Sequence, residues 1–189
     1  MLEIEIKVKV PTLDPICQKL DQIGALHSEH LMERDMYYNA PHRDFKDTDE
    51  ALRLRTTSHG TTLTYKGKKE IICGSKIRKE YNLSVEAKET AHEILTHLGF
   101  IPVAEVNKER NYYVFEDFSI ALDDVSGLGT FVEIELICEE EENINEPANR
   151  IASFAKRVGV TGERIADSYL ELILHKQGEE MHSYDEKMD

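Results

Sequence analysis

The feature that most constrains the fold of this 189-residue chain is a strict alternation of charged and aliphatic residues. In the N-terminal segment LEIEIKVKV, the even positions are aliphatic and the odd positions are charged. A period of two places these sets on opposite faces of a β-strand. The spacing returns in later segments, at Arg53 and Arg55, at Lys76, Arg78 and Glu80, at Lys108 and Arg110, and at Glu133 and Glu135. The pattern predicts a sheet with one apolar and one charged face.

Periodicity and turn residues together predict about seven or eight strands and few helices. The strands are expected near residues 2–10, 26–38, 51–57, 61–66, 75–85, 103–115, 119–124 and 129–138. Helices are expected up to residue 23, with Thr12 or Asp14 as N-cap, and at 87–98, 146–158 and 167–176, the last capped by Asp167 or Ser168. Residues 39–50 are expected to form a polar loop, and residues 66–74 a connection between strands.

Hairpin-like spacing favours an antiparallel sheet, either a sandwich or a barrel. Charged residues on one sheet face usually point to solvent, but here they are Arg, Lys and Glu rather than the usual mixture with Thr, Ser and Gln. Acids lie in the first and last strands, and bases in the middle strands. If this face turns inward, about eight bases and five acids line one tunnel, which only a polyanion with a divalent cation would balance.

Composition narrows the classes of function. The formal net charge is −14, with 37 acids against 23 lysines and arginines, so a surface that binds nucleic acid is not expected. No apolar run approaches the ~20 residues of a membrane-spanning helix. Three widely separated cysteines indicate reduced thiols in a cytoplasmic protein. The chain is expected to form one domain, 1–176, followed by an acidic C-terminal tail, 177–189.

The order of the charged motifs resembles that of the CYTH family, also called triphosphate tunnel metalloenzymes. The similarity begins with EIEIK at Glu3–Lys7 and covers nearly the whole chain. It continues through ALRLR (51–55), LTYKG (63–67), KIRKE (76–80), KERNYY (108–113), ALDDVSGLGTFVEIE (121–135) and DSYLELI (167–173). The segment RDFKDTDEALRLR and the DSYLEL ending are more similar to the class IV adenylyl cyclase branch than to the thiamine triphosphatase branch.

This resemblance implies an α+β fold: a closed eight-stranded antiparallel β-barrel, the triphosphate tunnel, with flanking helices. It also implies a site for Mg²⁺ or Mn²⁺ and, more weakly, a homodimer. The implied metal ligands are Glu3, Glu5 and Glu135, with Glu133 and Asp123 close by. The implied triphosphate-binding residues are Arg53, Arg55, Lys66, Lys76, Arg78, Lys108 and Arg110. Lys7, Lys108 and Asp123 are the candidate catalytic residues, and the role of Glu80 is left open.

Three hypotheses about function follow. The leading one is a cyclase that converts ATP to cyclic AMP and pyrophosphate, with the nucleobase held at the tunnel mouth by the helix after Asp167 or the loop around Phe45. The second is hydrolysis of inorganic or organic triphosphate, including thiamine triphosphate. The third is a non-catalytic sensor of nucleotide or polyphosphate, which the full set of carboxylates argues against.

Overall fold

The computed structural model describes residues 2–72, 75–138, 145–162 and 164–185. Side chains are described for residues 5–68, 79–136, 146–147, 149–162 and 164–178. The strands are β1 Leu2–Val10, β2 Leu26–Asn39, β3 Ala51–Thr57, β4 Gly60–Ile72, β5 Ser75–Val85, β6 Ile101–Phe115, β7 Phe118–Val125 and β8 Gly129–Cys138. The helices are α1 Asp14–Gln22, α2 Phe45–Thr48, α3 Lys88–His97, α4 Asn145–Arg157 and α5 Tyr169–Asp185.

These strands form a single antiparallel sheet in the order β1-β8-β7-β6-β2-β3-β4-β5. Each neighbouring pair is hydrogen-bonded. The two edge strands, β1 and β5, curl toward each other until Cα atoms of the two lie within 8 Å. Over the described residues no hydrogen-bonded ladder joins them. The predicted α+β architecture, an eight-stranded antiparallel tunnel with flanking helices, is confirmed.

The apolar face of the sheet points outward, and helices cover part of it, whereas Tyr81 and Leu83 of β5 remain exposed. On one side, α1 and α4 pack against β1, β7 and β8 through Ile6, Leu20, Leu122, Ile134 and Phe154, all of them buried. On another side, α3 contributes Leu95 and α2 contributes Phe45 to a second cluster over β3. Burial of aliphatic side chains drives this packing. Since successive strand residues alternate between faces, packing the aliphatic residues on the outside places the charged residues inside the barrel.

One end of the barrel interior is apolar, and α5 packs there. Val106, Val125 and Phe131 point inward and share one cluster with Tyr169, the first residue of α5, whose ring packs edge-on against Phe131. The segment before the helix is tied to β1, because Ile165 N donates to Lys7 O at 2.8 Å. The beginning of α5 therefore closes this end.

The structure corrects several expected boundaries. Strand β4 continues to Ile72, so residues 66–72 are strand rather than a connection. A bulge between Lys66 and Lys69 lets the ladder with β5 resume. The expected polar loop 39–50 contains the short helix α2, whose N-cap Asp44 accepts a hydrogen bond from Lys46 N. Helix α5 runs to Asp185 rather than ending at residue 176.

The predicted helix caps had mixed outcomes. Helix α1 begins after Leu13, which makes no side-chain cap, so the expected capping by Thr12 or Asp14 was wrong. Ser168 does cap α5: its Oγ accepts from Glu171 N at 3.3 Å, while Ser168 N donates to Glu171 Oε2 at 2.7 Å. This reciprocal pair is a capping box. In the described part of the chain, no helix is both long and apolar enough to cross a bilayer.

Candidate functional site

The interior face of the barrel is organised by charge pairs between neighbouring strands. Five bases lie directly opposite an acid in the strand register: Lys7 opposite Glu133, Lys108 opposite Glu33, Arg55 opposite Asp35, Arg110 opposite Asp123, and Lys66 opposite Glu80. Opposite charges at such positions stabilise strand pairing. The charges predicted from sequence to share a face are therefore brought together, but as alternating pairs rather than as separate acidic and basic regions.

Five residues from β2, β3 and β6 form what we call the β2–β3 cluster: Glu33, Asp35, Arg53, Arg55 and Lys108. Asp35 accepts two hydrogen bonds from Arg55, each 2.6 Å long. Glu33 Oε2 lies 2.9 Å from Arg55 Nη1 and 2.7 Å from Lys108 Nζ. Both carboxylates are 1% exposed. Arg55 and Lys108 are thus neutralised by acids of the protein itself.

Arg53 belongs to the same cluster but is less completely paired. Its Nη1 lies 3.6 Å from Asp35 Oδ2, which is beyond hydrogen-bonding distance. Its Nε is buried and makes no hydrogen bond to the described part of the chain. A buried donor without a hydrogen bond is costly unless a ligand satisfies it. Of this cluster, Arg53 is the base best prepared to receive a ligand oxygen.

Burial and neighbouring charges set the ionisation of the β2–β3 cluster. Burial alone would raise the pKa of Asp35, but the hydrogen bonds from Arg55 and the charge of Lys108 lower that pKa to about 2. The pKa of Glu33 is likewise lowered, because Lys108, Arg55 and Arg110 outweigh the effect of burial. Burial lowers the pKa of the Lys108 ammonium. Both acids are ionised at neutral pH.

A second group, the β1–β8 cluster, consists of Lys7, Arg110, Asp123 and Glu133. Arg110 donates to Asp123 from Nε at 2.5 Å and also contacts Glu133. Lys7 Nζ lies 3.2 Å from Glu133 Oε1 and donates to Asp167 O at 3.2 Å. Burial would raise the pKa of Glu133, but the charges of Arg110 and Lys7 lower it to about 2.

Tyr169 joins the β1–β8 cluster to helix α5. Its hydroxyl donates to Asp123 Oδ2 at 2.6 Å, and Lys7 Nζ lies 4.5 Å from the centre of its ring. Burial and the nearby charge of Glu133 raise the pKa of this phenol, which stays protonated. Asp123 is fully buried and has both oxygens occupied, by Arg110 and Tyr169. Asp123 therefore holds Arg110 and Tyr169 in place relative to each other.

Some of the remaining predicted site residues pair with a neighbouring strand, and others have side chains outside the described residues. Lys66 pairs with Glu80 at 2.5 Å, so Glu80 contacts a neighbouring base across the ladder. The backbone register places Arg78 opposite Lys69 and Lys76 opposite Ile71. The side chains of Glu3, Lys76 and Arg78 are outside the described residues. Phe45, at the centre of one of the two segments expected near a nucleobase, is 6% exposed and lies in one cluster with Leu52 and Leu95, so its own side chain belongs to the core.

The predicted metal ligands Glu5 and Glu135 lie directly opposite each other, and Glu5 Oε1 is also 4.0 Å from Lys7 Nζ. Like charges at such a position destabilise strand pairing, and a divalent cation between them would remove the repulsion. Carboxylates are preferred ligands of Mg²⁺, so these residues fit the ion. The described side chains contain no group of three or more acids, histidines or cysteines arranged to hold a metal.

Sequence reasoning missed Glu33, Asp35, Tyr112 and Tyr169. Glu33 and Asp35 have the i, i+2 spacing that singled out Glu3 and Glu5, which was a usable signal. With them included, the described interior carries seven acids rather than about five, against six bases. The acids are Glu5, Glu33, Asp35, Glu80, Asp123, Glu133 and Glu135, and the bases are Lys7, Arg53, Arg55, Lys66, Lys108 and Arg110. Within the described side chains, the charges of the interior are therefore nearly balanced.

Known proteins share both the sequence and the architecture. A protein of Methanocaldococcus jannaschii, provisionally named adenylate cyclase, is 35% identical over 173 residues, 91% of this chain and 98% of its own. A solved structure from Pyrococcus horikoshii has a TM-score of 0.79 at 36% identity and covers 92% of this chain and 99% of its own. A Hippeastrum protein, described as a provisional adenylyl cyclase with dominant triphosphatase activity, has a TM-score of 0.68 at 18% identity and covers 92% of this chain and 95% of its own.

The CYTH domain model matches residues 1–169. This range includes all eight strands and ends at Tyr169, the residue that closes one end of the barrel. Since the match and the M. jannaschii relative both extend over most of the sequence, the chain belongs to the CYTH family.

Proposed function

We propose that this protein is a divalent-metal-dependent enzyme that acts on a triphosphate inside the barrel. The observation that carries the proposal is the placement of the interior charges. Arg53 has a buried Nε without a hydrogen bond to the described residues, which suits an anion, whereas Glu5 and Glu135 face each other across the strand pair as two carboxylates, which suits a cation. A triphosphate complexed with Mg²⁺ or Mn²⁺ satisfies both needs at once.

The proposed reaction is cyclisation of ATP, in which the 3′-hydroxyl attacks the α-phosphorus and pyrophosphate leaves. The name of the M. jannaschii relative supports this choice. Arg53 binds phosphate oxygens, and Lys7 and Lys108 stabilise the negative charge that develops on them. Arg110, fixed by Asp123, holds Glu133 in place. When bound at Glu5 and Glu135, Mg²⁺ or Mn²⁺ supplies Lewis-acid polarisation of the phosphoryl oxygens.

Hydrolysis of a triphosphate is a second candidate, because water can replace the ribose hydroxyl as the nucleophile in the same barrel. It is favoured by the Hippeastrum relative, whose description combines an adenylyl cyclase name with a dominant triphosphatase activity. Both reactions need the same cradle of bases and the same metal, so they differ only in the attacking oxygen. Product analysis separates them.

The test is to incubate the protein with ATP and, separately, with inorganic triphosphate, in Mg²⁺, in Mn²⁺ and in EDTA, and to identify the products by chromatography. Cyclic AMP with pyrophosphate supports the cyclase, and orthophosphate from either substrate supports hydrolysis. Glu5→Gln should abolish either reaction, whereas Glu105→Gln, on the exposed face of β6, should not. Binding of both substrates without turnover would contradict an enzyme and favour a sensor.

A further inference from the structure

The β2–β3 cluster is unusual for a compartment that accepts a polyanion. A pure anion site would concentrate bases, yet here Glu33 and Asp35 hold two of the bases, Arg55 and Lys108, in ion pairs of 2.6 to 3.3 Å. Removing either carboxylate's charge would leave a buried base with an unbalanced positive charge. The two acids therefore reduce the attraction of the barrel for anions.

The positions of the two acids show that they are built into the barrel. Both are 1% exposed. Tyr112 OH donates to Glu33 Oε1 at 2.9 Å, which fixes the carboxylate toward Lys108. Asp35 is fixed by the paired hydrogen bonds from Arg55. Neither residue was predicted from the sequence as a metal ligand, and neither side chain is exposed to solvent.

We propose that Glu33 and Asp35 determine the charge state of the ligand that the barrel accepts. A region in which the bases are already paired with carboxylates favours an occupant of low net charge, because a bare polyanion gains little attraction from paired bases and is repelled by the nearby carboxylates at low dielectric. A triphosphate is a bare polyanion, and divalent cations cancel most of its charge. Glu33 and Asp35 thus select the metal complex of a triphosphate against the metal-free anion and against orthophosphate. This inference rests on the proposed function.

Calorimetric titration of inorganic triphosphate into the protein, in EDTA and in Mg²⁺, tests the inference without measuring activity. Wild type should bind triphosphate at least tenfold more tightly in Mg²⁺. Glu33→Gln keeps the acceptor for Tyr112 but removes the charge, and it should bind metal-free triphosphate at least tenfold more tightly than wild type does. Asp35→Asn should likewise bind metal-free triphosphate more tightly than wild type does. Both variants should also bind orthophosphate more tightly in EDTA.

The matched control is Glu109→Gln, which removes the same charge one residue from Lys108 on the outer face of β6. There Glu109 pairs with His30 and is half-exposed. This variant should bind like wild type. Unchanged or weaker metal-free binding by Glu33→Gln and Asp35→Asn would overturn the inference while leaving the proposed function intact. Equal binding by wild type in EDTA and Mg²⁺ would also overturn it, even if neither variant folds. Failure of wild type to bind triphosphate in either medium would overturn both.

Discussion

Arg53 and Arg55 lie two residues apart on β3 and point into the same barrel, yet their surroundings differ. Arg55 makes two hydrogen bonds to Asp35 and an ion pair with Glu33. Arg53 has a buried Nε without a hydrogen bond to the described residues. The i, i+2 motif identifies both as interior bases but not their partners. We therefore expect Arg55 to stabilise the fold and Arg53 to bind ligand.

Replacement of Arg55 by alanine should destabilise the protein strongly. The change leaves Glu33 and Asp35 buried with less positive charge nearby, and breaking a buried ion pair in this way costs about 3–5 kcal/mol. Arg53→Ala should cost less than half as much, because Arg53 lies 3.6 Å from Asp35 and its loss leaves the pairs of Arg55 and Lys108 with both acids intact. The free energy of unfolding, measured by urea denaturation without ligand, checks both.

Arg150→Ala is the control for loss of an arginine in an ion pair. Arg150 binds Asp117 with two hydrogen bonds of 2.8 and 2.7 Å, but both side chains are more than 40% exposed. Its loss should cost under about 1 kcal/mol. If Arg55→Ala were no more destabilising than Arg150→Ala, the acids of the β2–β3 cluster would not depend on Arg55.

Among whole elements, the bounds of most strands were predicted from the sequence, whereas one strand extension and one short helix were missed. The period-two pattern predicts β1, β5 and β8 closely, because polar and apolar residues alternate along most of their length. It missed the extension of β4 beyond Lys66, since the bulge after Lys66 breaks the alternation in KGKKEII. It also missed α2, which has a single turn and forms because Asp44 caps it and Phe45 is buried.

Helix α5 offers a test of how an element positions the site. Ser168→Ala removes the capping box at the helix start and should cost about 1 kcal/mol of unfolding free energy. Since Tyr169 is the next residue and contacts Asp123, the variant should also lose part of its turnover. Thr12→Ala is the control, because Thr12 does not cap α1 and its loss should cost less than ~0.5 kcal/mol. Equal losses in the two variants would contradict this role of Ser168.

Across the whole molecule, the sequence predicted the tunnel and most of its bases but not its charge balance. The motif ERD in β2 places Glu33 and Asp35 on the interior face, but one strand alone does not show which side of a sheet faces solvent. Only the register, which sets Asp35 opposite Arg55 and Glu33 opposite Lys108, shows that the bases are neutralised.

The buried acids make stability depend on pH. The folded pKa of Asp35 is about 2, below its ordinary value of 3.8. A lowered acid pKa stabilises the fold above the unfolded pKa, and this contribution is lost as pH falls through the folded pKa. Asp35 should contribute about 2–3 kcal/mol at neutral pH, most of it lost between about pH 4 and pH 2. Urea denaturation of wild type and Asp35→Asn should show a difference that shrinks over this range; a constant difference would contradict the prediction.

The central claim, that the barrel binds a metal–triphosphate complex, is tested most directly by ligand-dependent unfolding. In Mg²⁺, inorganic triphosphate at ~100 times its dissociation constant should raise the free energy of unfolding by about 2.7 kcal/mol by mass action alone. Orthophosphate at the same concentration should give much less, and Arg53→Ala should reduce the gain from triphosphate. Equal stabilisation of wild type by triphosphate and orthophosphate, or none by either, would contradict the account.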